Sequence, residues 1–405
     1  MAGVQQAEAA PTKKDNLVLR VGMAGLGAGA RQVLPSFRRV PGVELAAVAD
    51  IRLKALDEFA ARGVKTFDNV EAMCRSNDVD AVWVATPNVL HMQHTIAAAQ
   101  NGKHVICEKP MALSLEQAEA MMEACARNGV KYVQGHSKIY NPPVRKIREV
   151  VASGRLGRLI QLNTWNYRNW LNQPRLETEV HTETGGGVCY RQGPHQTDVV
   201  RCIGGGLVKT VRGIVGRWDP NFDTEGNYSA FLEFEDGTPA MMSMNGYAHF
   251  NIVELTWGIG EGGQATPEDE LYQKEERLTK PFDPETKYAL PEYQEGRFED
   301  RDRQRSDRHQ PFYGLTVASC ERGDIRQSPD GLYLYTDEGR TEIPCDPDWG
   351  HASELAELYH AVAEDRPSFP DAGWGMATLE VILAIMESSR QGREVRLAHQ
   401  VPYPL

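Results

Sequence analysis

Three side chains able to exchange a proton or hold an anion sit in short segments bounded by glycine or proline. Lys109 lies in Glu108-Lys109-Pro110, while Arg191 and His195 share the stretch GGGVCYRQGPHQTD, Gly185 to Asp198. Lysine and histidine take or give protons, and arginine offers a planar fork suited to a carboxylate. Arg191 and His195 are four residues apart, a spacing that puts two side chains on one face of a helical turn. What such groups can do depends on the elements that carry them.

Composition narrows those elements. The chain has 405 residues, 41% hydrophobic and 25% charged, long enough for two domains with sizeable cores. Its formal charge of −12 argues against nucleic acid as a partner, yet leaves room for one local basic pocket that takes a small anion. Seven cysteines without a C-x-x-C pair fit a reducing cytoplasm and offer no zinc spacing, so no metal is expected. No apolar run is long enough to span a bilayer, so no membrane partner is expected. Residues 1–15, MAGVQQAEAAPTKKD, read as a flexible tail without the apolar segment of a secretion signal.

The front of the chain reads as strand, glycine turn and helix. NLVLRVGMAGLGAGARQVLPSF holds Gly25-Leu26-Gly27-Ala28-Gly29-Ala30, a G-x-G-x-x-A pattern. Gly25 permits the tight turn, Gly27 lets the backbone approach a pyrophosphate, and the helix N-terminus beginning near Ala28 favours its charge. The next strand, VELAAVAD, ends in Asp50, 23 residues after Gly27, where a dinucleotide fold places a carboxylate on the adenosine ribose. Asp50 would repel a 2′-phosphate and favours NAD, whereas Arg52 keeps NADP open.

Two further strand-loop units follow. VDAVWVATPNVLH ends in Thr86-Pro87-Asn88, with His91 in position to hold that loop. GKHVICEKPMALSLEQAEAMMEACARNG places Lys109 at the carboxyl end of a parallel strand, where open α/β sheets bind ligands. Its helix is expected to start at a capping box, Ser114 and Gln117, and to bury Ala118, Met121, Met122 and Cys125. Beyond an amphipathic helix over 141–154 the pattern turns to strand-like alternation, with an Asp236-Gly237 hairpin and two closing helices. A charged stretch over 260–308 is either disordered or a functional excursion such as a lid or subunit arm.

The glycine fingerprint, Asp50, Thr86-Pro87-Asn88 with His91, Glu108-Lys109-Pro110, and the Gly185-Gly186-Gly187 lead-in to Gly193-x-His195 resemble the Gfo/Idh/MocA oxidoreductase family. The resemblance covers nearly the whole chain except the tail and the charged insertion. It implies an α/β plus α+β architecture: an N-terminal Rossmann doubly wound parallel sheet over 16–136, then an α/β domain with an open, mainly antiparallel sheet over 137–405. It also implies hydride transfer between NAD(P) and an alcohol carbon, a homo-oligomer, and Lys109 and His195 as catalytic residues. Leu26, Ala28, Glu108 and Lys109 join the cofactor-binding set with Gly25, Gly27, Asp50, Arg52, Thr86, Pro87, Asn88 and His91.

One departure bears on the substrate. The family pattern places an aspartate four residues before the histidine, and here that position is Arg191. A substrate carboxylate is expected to compensate the reversed charge, each charge-assisted hydrogen bond contributing about 1.5–3 kcal/mol. A like charge about 5 Å from Lys109 would also lower its pKa by about two units, toward the range useful to a general base. Arg191, SKIYNPP, TWNYRNW and QPFYGLTVASCERGDIRQSPDGLYLY resemble the branch of the family that oxidises carboxylated cyclic cis-dihydrodiols, a small anionic aromatic-derived substrate class. Tyr140, Asn141, Arg168 and His181 are further substrate candidates. Trp165, Tyr167 and Trp170 form either a flat wall or sheet packing, and Asp198 is expected to cap or solvate a helix. The competing expectations are a sugar or inositol dehydrogenase and a protein that binds NAD without turnover.

Overall fold

The computed structural model describes residues 17–271, 278–290, 308–346 and 350–404. The expected tail and parts of the charged insertion lie outside the described residues.

The first sheet is built from short apolar strands: β1 Leu19–Ala24, β2 Val43–Ala49, β3 Lys65–Phe67, β4 Ala81–Val84, β5 His104–Glu108 and β6 Tyr132–Gly135. All pair in parallel in the order β3-β2-β1-β4-β5-β6. The order reverses at β1 and β4, opening the crevice in which doubly wound sheets hold ligands. β4 is buried along its whole length, which explains its unbroken apolar run.

The second sheet has nine strands: β7 Leu159–Tyr167, β8 Val208–Gly216, β9 Asn227–Phe234, β10 Pro239–Asn245, β11 Leu315–Cys320, β12 Gly323–Gln327, β13 Gly331–Thr336, β14 Gly339–Pro344 and β15 Val395–Arg396. Their order is β14-β13-β12-β11-β7-β10-β9-β8-β15, with only the β7–β10 pair parallel. The fold class expected from the resemblance is therefore present. Helices over Pro142–Ala152, Gly193–Gly204 and Ala372–Gln391 cover one face, burying Val144, Ile147, Val200, Ile203, Ile382 and Ile385 against Leu162, Leu232 and Met242.

Several expectations change in detail. Ser114 caps the helix as expected, its hydroxyl accepting from Gln117 N at 3.3 Å, but the Gln117 side chain accepts from Leu113 N instead of Ser114 N, so only the return bond of the box is shifted by one residue. Ala124 takes the buried place expected for Met122, which is half-buried. The closing helix Ala352–Ala363 buries Leu355 and Leu358 with Leu19, Val21 and Met23, so it completes the first domain's core although it lies in the second domain's sequence.

Asp198 neither caps nor solvates a helix. It is fully buried, accepting from His136 Nδ1 at 3.0 Å and from Trp374 Nε1, and so ties the end of β6 to the Gly193–Gly204 and Ala372–Gln391 helices. Replacing it strands two buried donors. Asp198→Ala is expected to cost about 2–5 kcal/mol in urea unfolding, with Asp198→Asn losing less because one acceptor oxygen remains. A loss under about 1 kcal/mol in the alanine variant would show that the pair contributes little.

Candidate active site

The loops after β1, β4 and β5 meet the glycine-rich segment of the second domain around one cavity of about 300 Å³. Thr86, Asn88, His91, Glu108, Lys109, Arg168, Trp170, Arg191 and His195 all line it. Asn88 fastens the two domains by donating from Nδ2 to Gly185 O at 2.8 Å. Gly185 has φ of 78°, and an added Cβ would lie 2.6 Å from Leu113 and 3.0 Å from Asn88, so a glycine is needed where the two loops touch. His91 is buried with Nδ1 2.8 Å from Pro110 O and Nε2 2.9 Å from Thr86 O, so its ring bridges the loops carrying Asn88 and Lys109.

Lys109 Nζ donates to Arg191 O at 3.3 Å. Burial, and then the Arg191 guanidinium, push its pKa down to about 8. His195 stands at the start of the Gly193–Gly204 helix, its ring centroid 5.3 Å from that of Tyr313. Its Nδ1 is buried without a hydrogen-bond partner among the described residues, and burial with nearby Lys109 holds the imidazole neutral, well below its usual pKa. A neutral imidazole and a readily deprotonated lysine on one cavity can exchange protons with an alcohol.

The charge reversal at position 191 is compensated from within the chain. Arg191 Nη2 pairs with Glu179 Oε1 at 2.5 Å, and Lys287 Nζ pairs with Glu179 Oε2. Burial would raise the Glu179 pKa, but Arg191 and Lys287 outweigh it and hold it at about 2. A substrate carboxylate was expected to compensate Arg191; in the structure Glu179 already occupies part of its fork. A net charge remains, because the described residues lining the cavity include six lysines and arginines against three glutamates. They are Lys109, Lys138, Arg168, Arg175, Arg191 and Lys287, facing Glu108, Glu179 and Glu261.

Other expected site residues lie elsewhere. The Tyr140 hydroxyl is turned into the protein and donates to Phe369 O at 2.9 Å. Asn141 is buried at the N-cap of the Pro142–Ala152 helix, because the two prolines after it start that helix there. His181 pairs with Glu177 at 2.7 Å on the surface, outside the cavity lining. Of the three aromatics near the end of β7, only Trp170 lines the cavity, with the Arg175 guanidinium 4.0 Å from its ring centroid. Tyr167 packs edge-on against Phe250 at 6.1 Å.

Glu179, Lys287, Glu261, Lys138, Arg175 and His351 line the cavity without having been singled out in the sequence. His351 Nδ1 pairs with the buried Glu354 at 2.7 Å, which raises its pKa against the effect of burial. Lys287 belongs to the charged insertion, so the reading of that stretch as a functional excursion was the one available signal.

The residues at the tip of the first sheet fit a dinucleotide. Gly25 has φ of 86°, and an added Cβ would lie 2.8 Å from Ala85 O. Asp50 accepts from Leu26 N at 2.8 Å and from Arg52, whose hydrogen bonds overcome burial and keep the carboxylate ionised. Arg52 also stacks 4.5 Å from the Tyr288 ring centroid, so its fork is committed to Asp50 and to this ring. The carboxylate at this position suits the ribose hydroxyls of NAD.

Residues 19–136 match the model of an oxidoreductase family with an NAD-binding Rossmann fold, and residues 144–264 match the GFO/IDH/MocA C-terminal domain. The 1-carboxy-3-chloro-3,4-dihydroxycyclohexa-1,5-diene dehydrogenase of Comamonas testosteroni is 33% identical over 378 residues, covering 92% of this chain and 95% of that protein. A solved structure from Bordetella bronchiseptica RB50 has a TM-score of 0.80 at 36% identity, over 94% of this chain and 100% of that one. A levoglucosan dehydrogenase solved with NADH and levoglucosan shares the fold, with a TM-score of 0.73 at 18% identity over 93% of this chain and 99% of that one. The chain belongs to the GFO/IDH/MocA family of NAD-binding oxidoreductases.

Proposed function

We propose that the protein oxidises a carboxylated cyclic cis-dihydrodiol with NAD, converting phthalate 4,5-cis-dihydrodiol to 4,5-dihydroxyphthalate in aromatic-compound degradation. The observation that carries this reading is the surplus of cations around Lys109 and His195 in a chain whose overall charge is −12. A neutral polyol would leave that surplus unbalanced, whereas an anionic ring offsets it. The similarity to a dehydrogenase of a carboxylated dihydroxycyclohexadiene supports the same class of substrate.

When bound, NAD supplies the hydride acceptor at nicotinamide C4. Lys109, with His195 on the same cavity, takes the hydroxyl proton as the carbinol hydride leaves. Loss of that hydride and proton turns the carbinol into a ketone, and the resulting hydroxydienone tautomerises to the catechol, driven by aromatisation. Arg191 holds a ring carboxylate through N–H groups not engaged by Glu179, and Trp170 gives the ring a flat wall.

The outer face of the second sheet supports a homo-oligomer. Phe231 and Met241, paired across β9 and β10, and Ile214 on β8 are each more than two-fifths exposed. A second copy of the chain covering this face would bury them. Light scattering on the purified protein is expected to give at least twice the chain mass of 45.1 kDa, and a monomer would remove this part of the reading.

NADH formation with phthalate 4,5-cis-dihydrodiol, beside myo-inositol and glucose, tests the substrate directly. Turnover of the dihydrodiol, reduced about ten-fold or more in kcat/KM by Arg191→Gln, is expected. Turnover of the polyols alone would return the protein to the sugar and inositol branch. The proton acceptor has its own signature. With Lys109 lowered to about 8, kcat/KM is expected to rise as pH passes through about 8, where the amine becomes neutral. Arg191→Gln removes a neighbouring cation, so the lysine moves back toward its ordinary value and the rising limb shifts up by roughly a pH unit. A limb that stays in place or moves down would take Arg191 out of the lysine's environment.

A further inference from the structure

The Arg168–Glu261 ion pair stands where two cavities meet. Arg168, Gln173 and Glu261 line both the catalytic cavity and a second one of about 580 Å³. Phe250, Phe312, Ile252 and Val253 give this outer cavity apolar walls, and Asn166 and Asn251 add amides. That mixture suits an aromatic or cyclohexadiene ring with polar substituents.

The two oxygens of Glu261 go to different cations. Oε1 takes Arg168 Nη1, and Oε2 takes Lys138 Nζ at 2.9 Å. Burial would raise the Glu261 pKa, but Lys138 and Arg168 hold it at about 2, so it stays an anion. Lys138 would keep the carboxylate in place after Arg168 let go. The three side chains carry one net positive charge, and Lys138 also lies 5.5 Å from the ring centroid of Tyr313, the residue packed on His195. The cluster therefore adjoins the catalytic pair while facing the outer cavity. An incoming carboxylate offers Arg168 the same kind of acceptor as Glu261, so exchanging one for the other conserves the number of charge-assisted hydrogen bonds.

We propose that Arg168 is a second carboxylate-binding residue, reached through the outer cavity by a ring bearing two adjacent carboxylates, and that Glu261 holds its place until that ligand arrives. The proposal rests on the reading of the substrate as a carboxylated ring, with Arg191 taking one carboxylate and Arg168 the other. It makes the second carboxylate a determinant of specificity, since a ring with one carboxylate can satisfy Arg191 and leave Arg168 on Glu261.

Calorimetric titration of the NADH-loaded protein with phthalate and with benzoate tests this without turnover. The wild type is expected to bind phthalate at least ten-fold more tightly than benzoate. Arg168→Gln is expected to abolish that ratio, and Arg168→Lys to restore part of it. Glu261→Gln removes the place-holder and is expected to tighten phthalate several-fold and benzoate less. Melting curves identify any variant that fails to fold, and the remaining variants still give the ratio. Equal binding of the two probes by the wild type, an unchanged ratio in Arg168→Gln, or weaker phthalate binding in Glu261→Gln would each overturn the proposal. Selective phthalate binding without oxidation of the dihydrodiol would sink the proposed function alone.

Discussion

A buried carboxylate, Glu179, sets the electrostatics of the site. Glu179 is 4% exposed, and a carboxylate in that position is costly unless cations satisfy it. Arg191 and Lys287 do so, one on each oxygen. This pairing holds the Arg191 side chain toward the cavity, where its charge adds to burial in lowering the pKa of Lys109. It also draws the insertion residue Lys287 into the wall of the cavity that holds Lys109 and His195. The interaction that neutralises the buried carboxylate thus also fixes a cation beside Lys109.

The two domains contribute different things to that arrangement. The parallel sheet ends in loops whose backbone is rigidly tied, with His91 spanning Thr86 O and Pro110 O, so Lys109 is presented from a fixed platform. The second domain brings His195, Trp170 and the carboxylate-cation clusters around Glu179 and Glu261. Asn88 crosses between them to Gly185. Apart from Glu108 and Lys109, the described lysines, arginines and glutamates lining the cavity all come from the second domain.

Much of the fold was legible because its signals are local. The G-x-G-x-x-A turn, Asp50 at the end of β2 and the proline-bounded loop of Lys109 each depend on a few consecutive residues and on the strand before them. Misreadings arose where side-chain direction mattered. Tyr140 and Asn141 sit in a polar-looking segment, yet the Tyr140 hydroxyl turns inward to Phe369 O and Asn141 is buried at the N-cap position of the helix that the following prolines start. Asp198 reads in the sequence as capping or solvating a helix, and a histidine and a tryptophan from distant parts of the chain instead enclose it.

The sequence by itself determined the dinucleotide half and the presence of a second mainly antiparallel sheet, and it marked Lys109 and His195 as candidates, because these readings follow from short motifs and strand patterns. Only the tertiary structure decided how charge is distributed around them. The cationic partners of Glu179 lie 12 and 108 residues away in the chain, and those of Glu261 come from two separate segments before it. No periodicity or spacing encodes such contacts. They exist because folding removes these groups from water together, and a carboxylate out of water takes whichever cations the packed elements bring within reach.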